Sequence, residues 1–337
     1  MLICRTPFRI SLFGGGTDFP EWFNHNDGMT ISFTINKYCY VILRELPALF
    51  PFKYRLRYFK NENSKNISQI KHPSIKSILA YFDKSNHSLE IVHSSDIPGL
   101  SGLGSSSAFT VSMINLIYNY NKKKISKKKL SQNAVYLERN ILKETAGYQD
   151  QYACTYGGFN YIKYSKKTIK VSKVGLSDKK KNNLINNSLI VYTGLQRKSQ
   201  FIEKDKIKNI KKNENNLRRI QEICYEAKKI LNSNSKTYIN DINLLMKESW
   251  NYKKLLSSHV SNKKIEDLYE YAMTNGASSG KILGAGGGGF MLFLTKDSRN
   301  KNNLIKKLKN FKSFSYKLDY SGSKIIYKND SDNILND

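Results

Sequence analysis

The chain has 337 residues, and its 56 lysine and arginine residues against 27 aspartate and glutamate residues leave a formal net charge of +29. Hydrophobic residues make up 39% of it, which excludes a disordered protein. No apolar run approaches the roughly 18 residues of a membrane-spanning helix. The length predicts two packed domains. The positive charge is compatible with nucleic acid, a membrane surface or a phosphorylated small molecule as partner, and composition does not choose among them.

The N-terminal sequence predicts a cytoplasmic protein, and the cysteines predict no metal or redox site. The segment MLICRTPFRI has no charged stretch followed by an apolar run and a cleavage site, so no secretory signal is expected. Cys4, Cys39, Cys154 and Cys224 lie far apart and lack the short spacing of a zinc or redox site, which predicts reduced thiols in the core.

Hydrophobic periodicity predicts strands and helices that segregate along the chain, which is typical of an α+β fold. In the first half, strands are expected at 2–13, 29–45, 54–58 and 88–94, followed by a helix bearing the apolar face Phe109, Met113, Leu116 and Tyr120, a second helix at 128–144, and strands at 157–164 and 168–174. In the second half, the pattern predicts a strand at 188–193, a helical region at 200–275, a strand at 290–295, a helix at 300–310 and strands at 313–319 and 323–327.

The glycines near the C-terminus fit neither of two common nucleotide-binding motifs. Gly284, Gly286 and Gly289 have the spacing G-x-G-x-x-G, but the apolar strand FMLFLT comes directly after them, whereas a dinucleotide-binding motif requires a helix there. The dipeptide Gly280-Lys281 is preceded by Asn275 instead of the first P-loop glycine, and Ile282 replaces the hydroxyl residue after the lysine.

The segment PGLSGLGSSS (98–107) lies between a predicted strand and a predicted helix. Small residues there let the backbone approach an anion, and the free amides and the dipole at the start of a helix favour phosphate. Serine hydroxyls add ligands for phosphate oxygens or Mg²⁺. The predicted phosphate-binding residues are Pro98, Gly99, Ser101, Gly102, Leu103, Gly104, Ser105, Ser106 and Ser107.

Three segments in order, RTPFRISLFGGGTD (5–18), PGLSGLGSSSAF (98–109) and SGKILGAGGGGF (279–290), resemble the three signature motifs of the GHMP kinase superfamily. Within it, TPFRISLFGGGTD, GYQDQYACTYGGFNYI (147–162) and TGLQRKS (193–199) look most like the D-glycero-D-manno-heptose 7-phosphate kinases. The resemblance implies an N-terminal ribosomal-protein-like α/β domain at 1–175, a C-terminal ferredoxin-like α+β domain at 176–327 and a flexible tail at 328–337. It also implies transfer of the γ-phosphoryl group of ATP to the anomeric C1 hydroxyl of the heptose 7-phosphate, giving the 1,7-bisphosphate used in nucleotide-activated heptose synthesis.

The resemblance also assigns roles to residues. Arg9 matches the basic residue near the transferred phosphoryl group, and the middle motif wraps the phosphates of ATP. Ser106 and Glu138 match the ligands of Mg²⁺, and Asp150, twelve residues after Glu138, matches the catalytic aspartate that accepts the proton of the sugar hydroxyl. Proximity to Arg9 is expected to favour the carboxylate form of Asp150, which suits a base.

Residues that bind the sugar substrate are expected in three separate segments of the chain. Asp18 matches an acid that binds sugar hydroxyls, while Gly14-Gly15-Gly16 replaces the Gly-Glu-His of galactokinase and argues against galactose. The phosphate carried by the heptose requires a second basic cluster, for which the candidates are Arg197 and Lys198. The expected substrate-binding set is Gly15, Gly16, Thr17, Asp18, Arg197, Lys198, Gly286 and Gly287.

Two alternatives remain open. One is another sugar 1-kinase of the superfamily, such as a fucokinase, which shares the glycine-rich first motif. The other is a basic nucleic-acid-binding protein, supported by the net charge of +29. The basic and acidic side chains mixed along 201–230 predict an exposed helix face instead of a groove for nucleic acid, and an RNA-binding protein has no use for Ser106, Glu138 and Asp150 together. No specific nucleic acid and no membrane partner is therefore expected.

Overall fold

The computed structural model describes residues 1–83, 85, 87–196 and 199–329. The strands are β1 Leu2–Phe13, β2 Gly28–Glu45, β3 Tyr54–Arg57, β4 Asn61–Ser64, β5 Leu89–Ser95, β6 Phe159–Tyr164, β7 Ile169–Lys173, β8 Ser188–Tyr192, β9 Ser279–Ile282, β10 Phe290–Leu294, β11 Ser313–Phe314 and β12 Lys324–Lys328. The helices are α1 Pro20–Asn26, α2 Pro73–Phe82, α3 Ser105–Tyr120, α4 Lys127–Tyr136, α5 Gln149–Tyr156, α6 Asp178–Asn186, α7 Ser199–Lys208, α8 Glu214–Asn232, α9 Tyr238–Leu255, α10 Lys263–Thr274 and α11 Ser298–Lys307.

The larger of two sheets is built around the long strand β2. Its strands follow the order β12-β1-β2-β5-β3-β4, and β6 pairs with β2 and β7 with β6. The first half of β2 pairs with β6 and its second half with β5, so one strand serves two neighbours. Helix α3 packs on β1 and β2, and its buried residues include the predicted Phe109, Met113 and Leu116. This packing brings the start of α3 beside the end of β1.

The smaller sheet has the antiparallel order β11-β8-β10-β9. Its central strand β10 is buried along its whole length, as the apolar run FMLFL requires. Helices α8 and α9 pack against each other, and the predicted stripe Leu217, Ile220, Cys224, Ala227 and Leu231 on α8 is buried. The expected α+β fold is confirmed.

The chain returns to the larger sheet at its end, because β12 pairs with β1 antiparallel, Leu2 opposite Lys328. Lys328 thus lies in a strand, whereas the sequence predicted that the tail begins there; residues 330–337 lie outside the described part of the chain. The domain boundary near residue 175 remains a prediction.

Several local predictions differ from the structure. The helix expected at 128–144 ends at Tyr136 and continues as a π-helical turn over Leu137–Ile141. The expected strand at 313–319 is only two residues long. Residues 279–282, expected within a glycine-rich loop, form β9, which pairs with β10. Gly280 lies opposite Phe293, and a Cβ there would lie 2.5 Å from the ring of Phe293.

The four cysteines are buried and free, as predicted. In the described residues, no helix combines the length and the apolar character that crossing a membrane requires.

Candidate active site

A cleft of about 460 Å³ opens where the three glycine-rich segments meet. Gly15 and Gly16 after β1 form one part of its wall, Gly102 and Gly104–Ser107 a second, and Leu283–Gly286 and Gly288 a third. Residues that are far apart in sequence therefore share one cavity.

Two of these segments touch backbone to backbone. Gly102 has a φ of +78°, and a Cβ there would lie 2.6 Å from the carbonyl oxygen of Leu283. Gly284 has a φ of +66°, and a Cβ there would lie 2.7 Å from the Cα of Gly102. Only glycine combines this backbone conformation with so close an approach. The contact joins the smaller sheet to the segment that precedes α3.

Helix α3 begins at the cleft. The residue before it, Gly104, has a left-handed backbone conformation and no side chain that could cap the helix. The first backbone amides of α3 therefore donate to no capping oxygen and remain available to a ligand. Ser105, Ser106 and Ser107 line the cavity with these amides and their hydroxyls. The start of this 16-residue helix can therefore hold an anion.

The remaining residues of the predicted phosphate-binding segment do not line the cleft. Pro98 and Gly99 are exposed on its outer side. Ser101 and Leu103 are buried beneath it, where their carbonyl oxygens accept hydrogen bonds from the amides of Phe290 and Arg9. Their contribution is to hold the loop in place.

Arg9 and Asp150 form a bidentate ion pair in the cleft. Arg9 Nε donates to Asp150 Oδ1 at 2.7 Å and Nη2 donates to Oδ2 at 2.6 Å, while Nη1 donates to the carbonyl oxygen of Gly102 at 2.6 Å. The Arg9 side chain is 5% exposed and that of Asp150 27%. The carboxylate thus remains reachable from the cavity while the guanidinium ties it to the glycine and serine segment.

Glu138 lies buried in the π-helical turn and faces the same cleft. Its Oε2 accepts hydrogen bonds from Ser107 Oγ and Gln151 Nε2, whereas its Oε1 is buried without a hydrogen-bond partner. Burial raises the pKa of Glu138 to about 8. An unpartnered buried carboxylate oxygen beside serine hydroxyls is a suitable donor set for a hard cation such as Mg²⁺.

The position of the neighbouring serines refines the predicted metal pair. The hydroxyl that contacts Glu138 belongs to Ser107, whereas Ser106 is exposed at the cavity wall. Clusters of three or more acidic, histidine or cysteine residues that could bind a metal are absent from the described residues. Mg²⁺ does not require one, since it is commonly held by one or two carboxylates together with the phosphates of a substrate.

Asp18, two residues after the first glycine segment, is buried and lines the cleft. Its Oδ1 accepts a hydrogen bond from the Gly16 amide at 3.0 Å and its Oδ2 one from the Gln149 amide at 3.1 Å. Burial raises the pKa of Asp18 to about 6, and the negative charges of Asp150 and Glu203 add to this effect. Asp18 is therefore a fixed acceptor that can bind a hydroxyl group.

Some predicted substrate residues are placed elsewhere. Thr17 does not line the cleft, because its hydroxyl is buried between the backbone groups of Gly14 and Met29. Gly286 lines the cavity, but Gly287 does not, and its amide donates to the carbonyl oxygen of Val260. Arg197 and Lys198 lie outside the described residues.

Three lysines line the cleft although the sequence patterns gave them no role. They are Lys206 on α7, Lys253 on α9 and Lys281 on β9, and the last two are buried. Of the three, only Lys281 lies in a sequence motif, the third glycine-rich segment, where the dipeptide Gly280-Lys281 resembles the end of a P-loop. Lys206 and Lys253 are single residues among many lysines in helices, so only the fold reveals them.

Comparisons with known proteins indicate the family to which the chain is similar. Family models described as the GHMP kinases N terminal domain and the GHMP kinases C terminal match residues 73–158 and 236–313. The chain is 31% identical to D-glycero-alpha-D-manno-heptose 7-phosphate kinase of Campylobacter jejuni, over 95% of this chain and 96% of that protein.

Solved structures share the fold over nearly all of the chain. A D-glycero-D-manno-heptose 1-phosphate kinase from Bacteroides thetaiotaomicron superposes with a TM-score of 0.79 at 21% identity, covering 97% of this chain and 100% of that one. A putative sugar kinase from Campylobacter jejuni superposes with a TM-score of 0.72 at 28% identity, covering 96% and 97%. The mevalonate kinase of Methanococcus jannaschii has a TM-score of 0.73 at 22% identity, covering 94% and 98%.

Proposed function

The chain belongs to the GHMP kinase family and is a sugar kinase, and we propose that it transfers the γ-phosphoryl group of ATP to the anomeric C1 hydroxyl of D-glycero-D-manno-heptose 7-phosphate. The product is then the 1,7-bisphosphate. Activated heptoses of this kind serve cell-surface polysaccharide synthesis, and the use of ATP is consistent with a cytoplasmic location. The observation that most directly supports phosphoryl transfer is the ion pair between Arg9 and Asp150, which lies in the cleft beside the start of α3.

The choice of acceptor rests on two features. The relative that is 31% identical over 95% of this chain is named as a heptose 7-phosphate kinase. The first glycine segment offers small residues, Gly15 and Gly16, and a single fixed acid, Asp18, to the cavity. Such a wall leaves room for a seven-carbon sugar and favours hydrogen bonds to its hydroxyl groups.

In the proposed reaction Asp150 acts as the base. Phosphoryl transfer leaves little covalent chemistry to the protein, which must orient the acceptor, neutralise phosphate charge and accept the proton of the hydroxyl. A carboxylate has about four acceptor sites, so Asp150 can accept the C1 hydroxyl while it still accepts two bonds from Arg9. The guanidinium fixes the carboxylate and adds positive charge near the transferred group.

The triphosphate of ATP is proposed to lie against Gly102, Gly104 and Ser105–Ser107. Backbone amides and the positive end of the α3 dipole would bind its oxygens, and the absence of side chains at the two glycines lets the phosphates come close. Because Gly102 also touches the loop around Gly284, the cradle is held from both sheets.

Glu138, with a hydroxyl from Ser106 or Ser107, is proposed to hold Mg²⁺. The unpartnered Oε1 of Glu138 is the observation that supports this assignment. Bound there, the ion would supply neutralisation of phosphate charge. The pKa of Glu138 lies near 8 without a cation, so binding at neutral pH is expected to release a proton from this residue.

An acceptor panel tests the proposal. The enzyme with ATP and Mg²⁺ is assayed for ADP release with heptose 7-phosphate, free heptose, fucose and galactose. The expected result is a kcat/KM for heptose 7-phosphate at least about 10²-fold above the others, because the remote phosphate contributes binding energy that orients C1. A preference for free fucose would instead make the enzyme a fucokinase.

A further inference from the structure

The three lysines of the cleft form a group that the proposed chemistry does not use. Lys281 Nζ donates to the carbonyl oxygen of Leu12 at 2.7 Å, and Lys253 Nζ donates to those of Ile282 and Gly284, both at 2.8 Å. Lys206 Nζ donates to the carbonyl oxygen of Ala285 at 2.8 Å. The ammonium groups are therefore held in place by the ends of β1 and β9 and by the third glycine segment.

Basic side chains outnumber acidic side chains in this group. Glu203 forms an ion pair with Lys206 at 3.3 Å, whereas no ion pair of Lys253 or Lys281 is found in the described part of the chain. With all three lysines protonated, the formal charge of the group beside the Glu203 carboxylate would be +2, and a bound anion would favour these protonated forms. A phosphate monoester dianion has the opposite charge and needs several hydrogen-bond donors.

Burial in the free protein disfavours the charged forms of Lys253 and Lys281. Burial lowers the pKa of Lys281 to about 7, and the positive charges of Arg9 and Lys206 lower it further. The pKa of Lys253 is lowered by burial and by Lys281 and Lys206. Buried like charges without anionic partners are unfavourable, and a bound anion removes the repulsion.

The group adjoins the sugar side of the cleft. Lys206 lines a small side cavity together with Gly16 and Phe19, which flank the candidate sugar-binding acid Asp18 in the chain. The start of α3, by contrast, supplies its own amides for the phosphates of a nucleotide. The lysines come from α7, α9 and β9, whereas the nucleotide cradle comes from the loop before α3.

We propose that Lys206 and Lys281 bind the phosphate group carried by the sugar substrate, and that Lys253 supports them by fixing the third glycine segment. This inference rests on the proposed function, because it assumes a phosphorylated acceptor. Each ammonium has three donors, and the described bonds leave two on Lys281 and at least one on Lys206. Binding of the sugar phosphate then does not depend on Arg197 and Lys198 alone.

The variant Lys206→Gln tests this assignment. Glutamine keeps a polar hydrogen-bond donor but removes the charge, and Lys206→Arg restores a charge. The matched control is Lys208→Gln, which makes the same charge change at an exposed position of the same helix. Kinetics are measured with heptose 7-phosphate and with free heptose, and binding of heptose 7-phosphate without nucleotide is measured by calorimetry.

We expect Lys206→Gln to lower kcat/KM for heptose 7-phosphate by about tenfold or more, since a charge-assisted hydrogen bond is lost, and to lower it less for free heptose. Calorimetric affinity should fall in parallel, Lys206→Arg should recover part of the loss, and Lys208→Gln should match the wild type. A similar test at Lys281→Gln, with folding checked by circular dichroism, should give the same pattern.

Two outcomes separate the inference from the proposed function. If the wild type prefers heptose 7-phosphate and Lys206→Gln keeps the full preference, or if only the KM for ATP rises, the lysines do not bind the substrate phosphate and the inference is overturned. If the wild type itself shows no preference for the phosphorylated sugar, the proposed function fails before any variant is compared.

Discussion

Arg9 and Asp150 are 141 residues apart in sequence and share two hydrogen bonds of 2.7 and 2.6 Å. Arg9 comes from the buried strand β1 and Asp150 from the first turn of α5, so the larger sheet and the helices packed on it set the distance between them. Arg9 also donates a hydrogen bond to the carbonyl oxygen of Gly102. This bond connects the candidate base Asp150 to the glycine-rich loop that precedes α3.

Asp150→Asn should fold and bind ATP but lose about 10²- to 10⁴-fold in kcat, the usual contribution of a positioned proton acceptor. Asparagine keeps the shape and can accept from Arg9 through its oxygen only. Turnover and ATP affinity are measured beside Asp267→Asn, an exposed aspartate on α10. Turnover near that of the wild type would remove Asp150 from the mechanism.

Gly284→Ala should lower the rate by about 10- to 100-fold, because it displaces the third glycine segment from the loop before α3. Its Cβ would lie 2.7 Å from the Cα of Gly102, and the positive φ adds a strain of about 1–3 kcal/mol. Gly99→Ala is the control, since nothing lies within 4 Å of a Cβ there. Equal activity and equal melting temperatures of the two variants would contradict the tight loop contact.

Asp18→Asn should change the pH dependence of stability. The folded protein raises the pKa of Asp18 to about 6, so this proton is held more tightly in the folded than in the unfolded state. The stability that it contributes is complete below about pH 4 and is lost, by up to about 3 kcal/mol, as the pH rises to about 6. Asparagine does not titrate and loses one accepted hydrogen bond.

The wild type should therefore lose part of its stability advantage over Asp18→Asn between pH 4 and pH 6. Urea unfolding at several pH values measures this difference, with Asp267→Asn as an exposed control. If the difference in the free energy of unfolding between the wild type and Asp18→Asn stayed constant over this range, burial would not raise the pKa of Asp18.

Glu138→Gln should raise the Mg²⁺ concentration for half-maximal activity by about tenfold or more, since the amide removes the charge of the carboxylate whose buried, unpartnered Oε1 lies beside the serine hydroxyls. Titration of Mg²⁺ at saturating ATP measures it, beside the exposed control Glu270→Gln. Separate alanine variants of Ser106 and Ser107 then identify which hydroxyl assists. An unchanged Mg²⁺ dependence in Glu138→Gln would place the ion elsewhere.

Sequence patterns predicted the parts of this molecule that local chemistry determines. The strand 2–13, the helix after Gly104 and the stripe on α8 follow from apolar periodicity, and the glycine-rich segments follow from backbone requirements. The position of Thr17 away from the cleft was not predictable, because its buried hydrogen bonds to Gly14 and Met29 depend on the packing of β2.

The lysine cluster was not predictable for a different reason. Lys206, Lys253 and Lys281 come from three elements, and their meeting depends on how α7, α9 and β9 pack around the cleft. In a chain with 56 basic residues, no local pattern distinguishes them. Burial is the property that separates Lys253 and Lys281 from the exposed lysines, and burial requires the fold.

The identity of the product tests the central claim most directly. The enzyme is incubated with ATP, Mg²⁺ and heptose 7-phosphate, and the product is examined by ³¹P nuclear magnetic resonance with proton correlation. The account predicts a new phosphate resonance coupled to the anomeric proton, with the original 7-phosphate resonance retained and one ADP formed for each new phosphate. A new phosphate coupled to any other sugar proton, or no transfer to heptose 7-phosphate while a free sugar is phosphorylated, would contradict it.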